Sequence, residues 1–455
     1  MREPPSNVVQ LLKKELSKKD LQDLDSMLQS KDESKKDKKE DNPYFEGKVF
    51  IPKFLADELM SKYQFKYAVD ILWVYQNGVY KPVGETFARI EAQKLLGKHT
   101  RSNRVQETID YIKRATVDDI PKPNARYINV LNGRLNIEKI ELQPHDPSIF
   151  DIIQIPVTYD AEATCPNFNT YLKTTLGDEM IALAEEVFGY VLLQSQRFEK
   201  AIMLTGTGKN GKSVFLDVIQ YMLGEDNVSN VPLQELEEDK FSKAELLGKL
   251  ANIFSDIPKM AMRESSNFKS IVSGDVITAQ RKFGQPFKFR PTAKLLFSAN
   301  ELPRTYDNSY AFFRRWIIIP FNKTFDGQQA DKSLRSKLKK ELSGILNRSL
   351  LGLMRLLVNG EFTTPVAVQE ALEKYKSYND TVAAFCDECV EAEYSGKVTK
   401  QDFYNAYKAW CQEQGLHPVS QRKVKESLIQ KYPNLDEYRP GQNGSWHWIG
   451  IQLIG

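Results

Sequence analysis

At 455 residues the chain exceeds what one hydrophobic core usually holds, and its 41% apolar and 27% charged residues describe a folded protein of about two to four domains. No apolar run approaches the roughly 20 residues that a membrane span needs, and the N-terminus MREPPSNVVQ lacks the apolar region of a signal peptide. A net charge of +3 is too small to establish a polyanionic partner but permits local basic surfaces, and four cysteines are too few for a disulfide framework, so a cytoplasmic protein with reduced thiols is expected.

In chain order, residues 1–28 carry leucines at helical spacing among lysines and aspartates, which predicts one or two short amphipathic helices. The stretch QSKDESKKDKKEDN then predicts a disordered linker, and this first segment closes at residue 41. Residues 42–160 predict a small α+β domain. Within it DILWVYQNGVYKP turns at Asn77-Gly78 and RYINVLNGRLNIEKIEL turns at Asn132-Gly133, Asn-Gly steps between alternating apolar residues that signal hairpins. Residues 84–116 between them predict helices. No paired aspartates of a primase site lie on these strands, so an assembly or DNA-entry module is expected.

Helices over 167–197 lead into AIMLTGTGKNGKSVFLDVIQYML, residues 201–223, where an apolar strand breaks into a glycine-rich loop and the loop runs into a helix. Gly206, four residues, then Gly211, Lys212 and Ser213 complete G-x-x-x-x-G-K-S. The backbone N–H groups of Gly206, Thr207, Gly208, Lys209, Asn210, Gly211, Lys212, Ser213 and Val214 would turn inward on a phosphate at the positive end of the new helix. Lys212 would neutralise the β and γ oxygens and Ser213 would offer its hydroxyl to Mg²⁺. ATP and Mg²⁺ are therefore the expected cofactors.

Downstream, a strand around Leu250–Phe254 ends in Ser255-Asp256, where a carboxylate can hold Mg²⁺ through water. Two alternating segments around Gly284 predict a hairpin with Arg281 and Lys282 near its tip and Lys288 and Arg290 on its return. The strand KLLFSAN ends at Asn300, a side chain placed to contact the γ-phosphate or the attacking water. Then AFFRRWIIIPF sets Arg314 and Arg315 just before another apolar strand. This ATPase domain is bounded at 161–360, with amphipathic helices over 331–357.

The last domain, 361–455, reads as a helix that includes TVAAFCDECVEAEY, two further helices (KQDFYNAYKAWCQEQG and SQRKVKESLIQKY) and a hairpin in YRPGQNGSWHWIGIQL. This order predicts a winged helix whose third helix presents Arg422, Lys423 and Lys425 to DNA, with Lys431 beside them and Arg439 near the wing. Cys386 and Cys389 form a C-x-x-C inside a helix, a setting for buried thiols rather than for zinc.

LNGRLNI, CPNF, TGTGKNGKS, LLGKLANIFSDI, FKSIVSGD, FSANELP and AFFRRWIIIPF follow one another between roughly Asn129 and Phe321. In that order and spacing the stretch resembles superfamily 3 helicases, most closely the helicase part, without a primase domain, of phage and plasmid primase-helicases related to the poxvirus helicase-primase. The resemblance implies a multidomain α/β chain: an AAA+-type P-loop ATPase core with helical flanks, an N-terminal α+β domain and a C-terminal winged-helix-like domain. It implies a homo-oligomer, a hexameric ring around DNA with a nucleotide at each subunit boundary. Lys212 and Ser213 then match the Walker A pair, Asp256 the Walker B position and Asn300 the sensor. Arg281 and Lys282 match the DNA-contacting hairpin, and either Arg314 or Arg315, with a slight preference for Arg315, looks like a finger reaching the neighbour's nucleotide. Lys269 is a further candidate for a cation supplied in trans. Ser255 stands where many members carry a second acid, which leaves Asp256 alone or shared with Glu264.

The expected function is an ATP-dependent replicative DNA helicase that moves on single-stranded and forked DNA during phage or mobile-element replication, in the cytoplasm of a bacterial host. Duplex origin DNA and a separate primase are further candidate partners, and no membrane is involved. An origin-binding initiator that uses ATP as an assembly switch is the alternative. A small-molecule kinase is a third reading, but it leaves the Arg281-Lys282 hairpin and the last domain without a role.

Overall fold

The computed structural model describes residues 42–257, 262, 264–326 and 331–454. The helices expected over 1–28 and the linker to residue 41 lie outside the described residues. Strands β1 (Phe45–Glu46) and β2 (Val49–Phe50) lead into helix α1 (Pro52–Lys62). An antiparallel meander follows, β3 (Phe65–Ala68), β4 (Ile71–Gln76) and β5 (Val79–Lys81), and the β4–β5 turn is the Asn77-Gly78 step, both residues at positive φ as a tight hairpin turn requires. Helices α2 (Gly84–Leu96) and α3 (Ser102–Ala115) close over Leu55, Leu59, Val74 and Ile109, which form a separate small core.

A second meander comprises β6 (Tyr127–Val130), β7 (Gly133–Asn136) and β8 (Glu141–Gln143). Its Ile128, Val130 and Leu135 share one hydrophobic core with Leu204 and Phe215 of the phosphate-loop unit. The boundary expected at residue 160 therefore falls inside a single core, because the hairpin's buried side chains, with Ile153, Ile155 and Val157, pack in one cluster with those of the phosphate-loop unit.

Helices α4 (Pro166–Thr175) and α5 (Ile181–Tyr190) precede β9 (Ala201–Thr205), and the glycine loop then opens α6 (Lys212–Leu223). Next come β10 (Val228–Ser229), α7 (Leu233–Glu238), β11 (Ala251–Phe254) and α8 (Ser266–Ser273). The hairpin β12 (Ile277–Gln280) and β13 (Pro286–Phe289) stands apart as its own two-stranded ribbon. Strand β14 (Lys294–Ala299), the short helix α9 (Tyr310–Phe313) and β15 (Trp316–Pro320) complete the unit.

The main sheet has five parallel strands in the order β10-β11-β14-β9-β15. Its strands read as continuous apolar runs because both faces are covered. Register then decides what meets at the carboxyl edge: Ala299 and Pro320 both pair with Thr205, so Gly206 and Asn300 emerge side by side, with Asp256 two residues beyond the end of β11. Functional residues of open parallel sheets collect at this edge.

Helices α10 (Leu334–Lys340) and α11 (Leu342–Asn359) return to the core. α11 lies against α5 so closely that a Cβ on Gly352 would stand 2.2 Å from Glu185 O. Helix α12 (Val366–Asn379) packs along β15 and leads to the last domain. That domain runs α13 (Thr381–Cys389), β16 (Val390–Thr399), α14 (Lys400–Glu413), α15 (Gln421–Lys431), β17 (Asp436–Tyr438) and β18 (His447–Leu453), with β18 central in a three-stranded sheet. The stretch VEAEY, expected to continue the first helix, is instead the start of β16. Its outward residues read as a helical polar face, but they lie on a strand paired only on one side.

Candidate active site

The loop between β9 and α6 is built by glycine geometry. Gly206, at φ +150°, could not carry a side chain, since a Cβ would stand 2.4 Å from Phe321 O. Gly211 enters α6 at φ +93°, against Thr175, and its carbonyl accepts from the Tyr171 hydroxyl at 2.9 Å. The loop is also laced to the segment after β15, with Asn210 Nδ2 donating to Phe321 O at 3.2 Å and the Phe325 N–H donating to Lys209 O at 2.8 Å.

Lys212 is buried at the base of this loop. Its ammonium donates to Gly206 O, to Asn210 Oδ1 at 3.2 Å and to Asn300 Oδ1 at 3.4 Å, and burial lowers its pKa, opposed by the charge of Asp256. Ser213, one residue on, is exposed at the rim. Asp256 is exposed, in left-handed backbone at φ +55°, with its N–H donating to Ser298 Oγ at 3.3 Å. That unusual φ turns the chain sharply after β11. The geometry fits a nucleoside triphosphate with Mg²⁺: a glycine cradle, a buried cation, an exposed hydroxyl and an exposed carboxylate meet at one sheet edge.

Beside the loop opens a cleft of about 520 Å³ that includes Gly206, Asn300, Glu301, Leu302, Lys374 and Tyr378 in its lining. Glu301 was not singled out from the sequence, although its place after Asn300 was a usable signal. The other acid considered, Glu264, lies near Glu237, whose carboxylate accepts from the N–H groups of Asn267 and Phe268 at the start of α8.

Three family profiles match this chain. The "D5 N terminal like" family covers residues 16–177, a "Family of unknown function (DUF5906)" covers 204–315, and "Poxvirus D5 protein-like" covers 377–447. This is a D5-like chain. Similar curated proteins include "Putative helicase L207/L206" of Acanthamoeba polyphaga mimivirus, 30% identical over 189 residues, 40% of this chain and 19% of that protein. "Putative helicase 022R" of Frog virus 3 (isolate Goorha) is 25% identical over 243 residues, 48% of this chain and 25% of that protein. The matches thus span a quarter or less of those relatives' length. Among solved structures, "The A form apo structure of NrS-1 C terminal region-CTR" shares the fold, with a TM-score of 0.50 at 12% identity over 88% of this chain and 99% of that one.

In the D5-like chain the arginine pair lies at the amino edge of the sheet, since Trp316 at the start of β15 pairs with Ala201. Five residues of strand, about 16 Å, separate it from the carboxyl edge and from the chain's own phosphate loop. Arg315 is 8% exposed; it donates to Ala311 O and, at 2.7 Å, to Ser273 Oγ. Arg314 has a 37% exposed side chain and meets Glu199 at 2.5 Å, while its carbonyl accepts from Lys200 Nζ. Arg314 is thus the more exposed of the two, whereas the sequence slightly favours Arg315 as the finger. Lys269 is tied to Asp307 at 2.8 Å, and this bond, with those from Ser265 and Ser309, holds the Asp307 carboxyl well below its usual range against the opposing effect of burial.

At the hairpin, Arg281 does not point freely from the tip: it donates at 2.9 Å to Val69 O in the β3–β4 turn. Lys282 is exposed, and Phe283 beside it, missed in the sequence, is 98% exposed at φ +66°. Lys288 and Arg290 line a separate cavity of about 290 Å³ with Lys122 and Asp151. On α15, Arg422 pairs with Glu426 at 3.1 Å, Lys425 with Glu437 at 2.6 Å and Lys431 with Asp387 at 2.5 Å, while Lys423 lines a cleft against Asn308 and Tyr310.

Cys386 lies buried within α13, and among the described residues no group of three or more His, Cys, Asp and Glu could hold a metal ion. Burial pushes the Cys386 thiol up to about 12 and that of Cys165 to about 11. Below those values the thiols stay protonated, so at about pH 8 both are expected to resist iodoacetamide in the folded chain and to be alkylated only after denaturation, as read by mass spectrometry.

Proposed function

We propose that this chain is the ATP-driven motor of a DNA helicase of the superfamily 3 type, an AAA+-type ATPase that assembles as a hexameric ring and draws single-stranded DNA through its centre. The observation that carries the reading is the polarity of the sheet: Gly206–Ser213, Asp256 and Asn300 collect at one edge, and Arg314 and Arg315 at the other. An arginine so far from its own nucleotide can act only on a neighbour's, which couples hydrolysis to subunit docking. Lys212 would grip the β and γ oxygens of ATP, Ser213 and Asp256 would hold Mg²⁺, Asn300 would orient the attacking water, and Arg314 would complete the site in trans. Glu301 joins Glu264 as a candidate for the second carboxylate beside Asp256. The names of the viral relatives, putative helicases, support the helicase part of this reading; to it the proposal adds a replicative role, with forked DNA as substrate, origin duplex as a further ligand and a separate primase as a working partner.

Strand displacement on a fork with ATP and Mg²⁺, together with native mass, tests the proposal. A folded, ATP-binding protein that stays monomeric and never unwinds a fork would end it. Weak hydrolysis indifferent to single strands would favour the assembly-switch reading instead.

Lys282 and Phe283 are the residues proposed to track the strand, by phosphate and base contact respectively. Phe283→Ala is expected to weaken single-strand affinity by about 5- to 100-fold and to reduce DNA-stimulated hydrolysis. Since Phe283 packs against little else, its thermal midpoint should not move; an unchanged affinity in fluorescence anisotropy would remove the hairpin tip from the DNA path.

A further inference from the structure

The last domain carries exposed aromatic rings among cations at one end of its sheet. Strand β16 is acidic near its start, with Glu391 and Glu393, and basic toward its end, where Lys397 and then Lys400 follow. At that end Trp446 is 47% exposed, with Lys400 Nζ 5.0 Å and the Arg439 guanidinium carbon 5.8 Å from its ring centroid. Tyr438, likewise 47% exposed, has Lys397 Nζ at 4.5 Å from its ring. The nearby acids include Asp402, whose carboxylate accepts from the Thr399 hydroxyl at 2.6 Å, Asp436 and Glu437, and Glu437 is held by both Lys400 and Lys425 at 2.6 Å. His447 lies beside Tyr438.

The rings are held in place. The Lys400 N–H donates to Trp446 O at 2.8 Å, and Arg439 Nε donates to Gly444 O at 2.9 Å, which pins both ends of the loop between β17 and β18. On α15, Arg422, Lys425 and Lys431 have carboxylate partners, as Lys400 has in Glu437, whereas Lys397 and Arg439 are set against the rings. Exposed flat rings flanked by cations suit bases that have left their stack, because every base offers a π face and the cations meet the intervening phosphates. A duplex hides those faces.

We propose that the wing end of the last domain, around Tyr438 and Trp446, is a stacking platform for unpaired nucleotides of single-stranded DNA. The proposal rests on the reading of the chain as a DNA motor and adds a second contact point, outside the ring pore, for the strand.

The test uses the full chain without ATP and a single-stranded oligonucleotide containing 5-iodouracil, with photo-crosslinks mapped by mass spectrometry and affinities measured by anisotropy against a blunt duplex. Crosslinks are expected at Tyr438 or Trp446. The double variant Tyr438→Ala, Trp446→Ala should bind the single strand at least about 10-fold more weakly while duplex binding and basal ATP hydrolysis stay unchanged. Tyr438→Phe, Trp446→Phe should retain binding, which separates loss of a ring from loss of the fold. Crosslinks confined to Phe283 with unaltered affinity in the double alanine variant would overturn the platform and leave the motor reading standing. Equal loss of duplex binding would make it a groove contact instead, and a changed native mass would make it an interface between proteins; either result rejects the platform. If the parent chain binds no DNA at all, the motor reading itself fails.

Discussion

Subunits carrying Arg314→Ala are expected to hydrolyse ATP about 10³- to 10⁵-fold more slowly than the parent chain, and mixing them with Lys212→Ala subunits is expected to restore part of that turnover. Each variant should be almost inactive alone, the first lacking the transferred cation and the second the phosphate grip. Where they adjoin, an intact loop meets an intact arginine. Recovery on mixing would be evidence of a shared site, because no repair within either chain can produce it. Arg314 meets Glu199 at 2.5 Å in the single chain, so docking must exchange this carboxylate for a phosphate or use the remaining guanidinium N–H groups. Arg315→Ala should behave differently. It shares Glu199 at 3.4 Å, and its further partners Ser273 and Ala311 belong to the fold, so its removal should lower the thermal midpoint as well as the rate. Absence of any recovery, with mixed oligomers verified by native mass, would rule out the trans arrangement.

Arg355→Ala is expected to destabilise the phosphate-loop unit by up to about 3–5 kcal/mol in urea unfolding, the upper figure for stranding a buried carboxylate, since the Arg355 side chain itself is 33% exposed. Glu186 is fully buried on α5 and meets Arg355 Nε at 2.8 Å; Glu185, 4% exposed, meets Arg355 Nη2 at 3.1 Å and also pairs with Arg348. Among the described residues, Thr363, through its N–H and hydroxyl at 2.7 Å each, would still hold Glu186. Since Phe188 of the same helix packs on Phe215 of α6 at 5.0 Å, loosening this joint should weaken the platform behind the phosphate loop. Pairing Arg355→Met with Glu186→Gln should recover much of the loss, because the stranded charge disappears. If Arg355→Ala alone costs less than about 1 kcal/mol, solvent has reached the pair and the buried-charge account fails.

How far the sequence could be read varied with the range of the interactions involved. The loop at Gly206–Ser213 was legible because glycine positions and a lysine at fixed spacing are a local requirement, and the Asn77-Gly78 turn was legible for the same reason. Phe283 was passed over because a phenylalanine in a strand pattern ordinarily faces a core, whereas the folded ribbon ends its strands at Gln280 and Pro286 and leaves Phe283 in the turn, in solvent, while Ile277, Ala279 and Phe289 are buried. The basic helix α15 read as a free DNA face because its partners come from other elements: Glu437, which pairs with Lys425, from the following strand, and Asp387, which pairs with Lys431, from α13. Strand β16 was hidden by Val390–Tyr394, whose polar residues alternate poorly around a register shift in its pairing with β18.

The residues alone determined that a triphosphate loop stands between an apolar strand and a helix, and which acid, amide and arginines were candidates to serve it. Only the folded sheet decided their grouping: parallel register places Asn300 beside Gly206, and the direction of β15 sends Arg314 to the opposite edge. Pairing across strands joins residues separated by about a hundred positions, and nothing in their local chemistry encodes that distance.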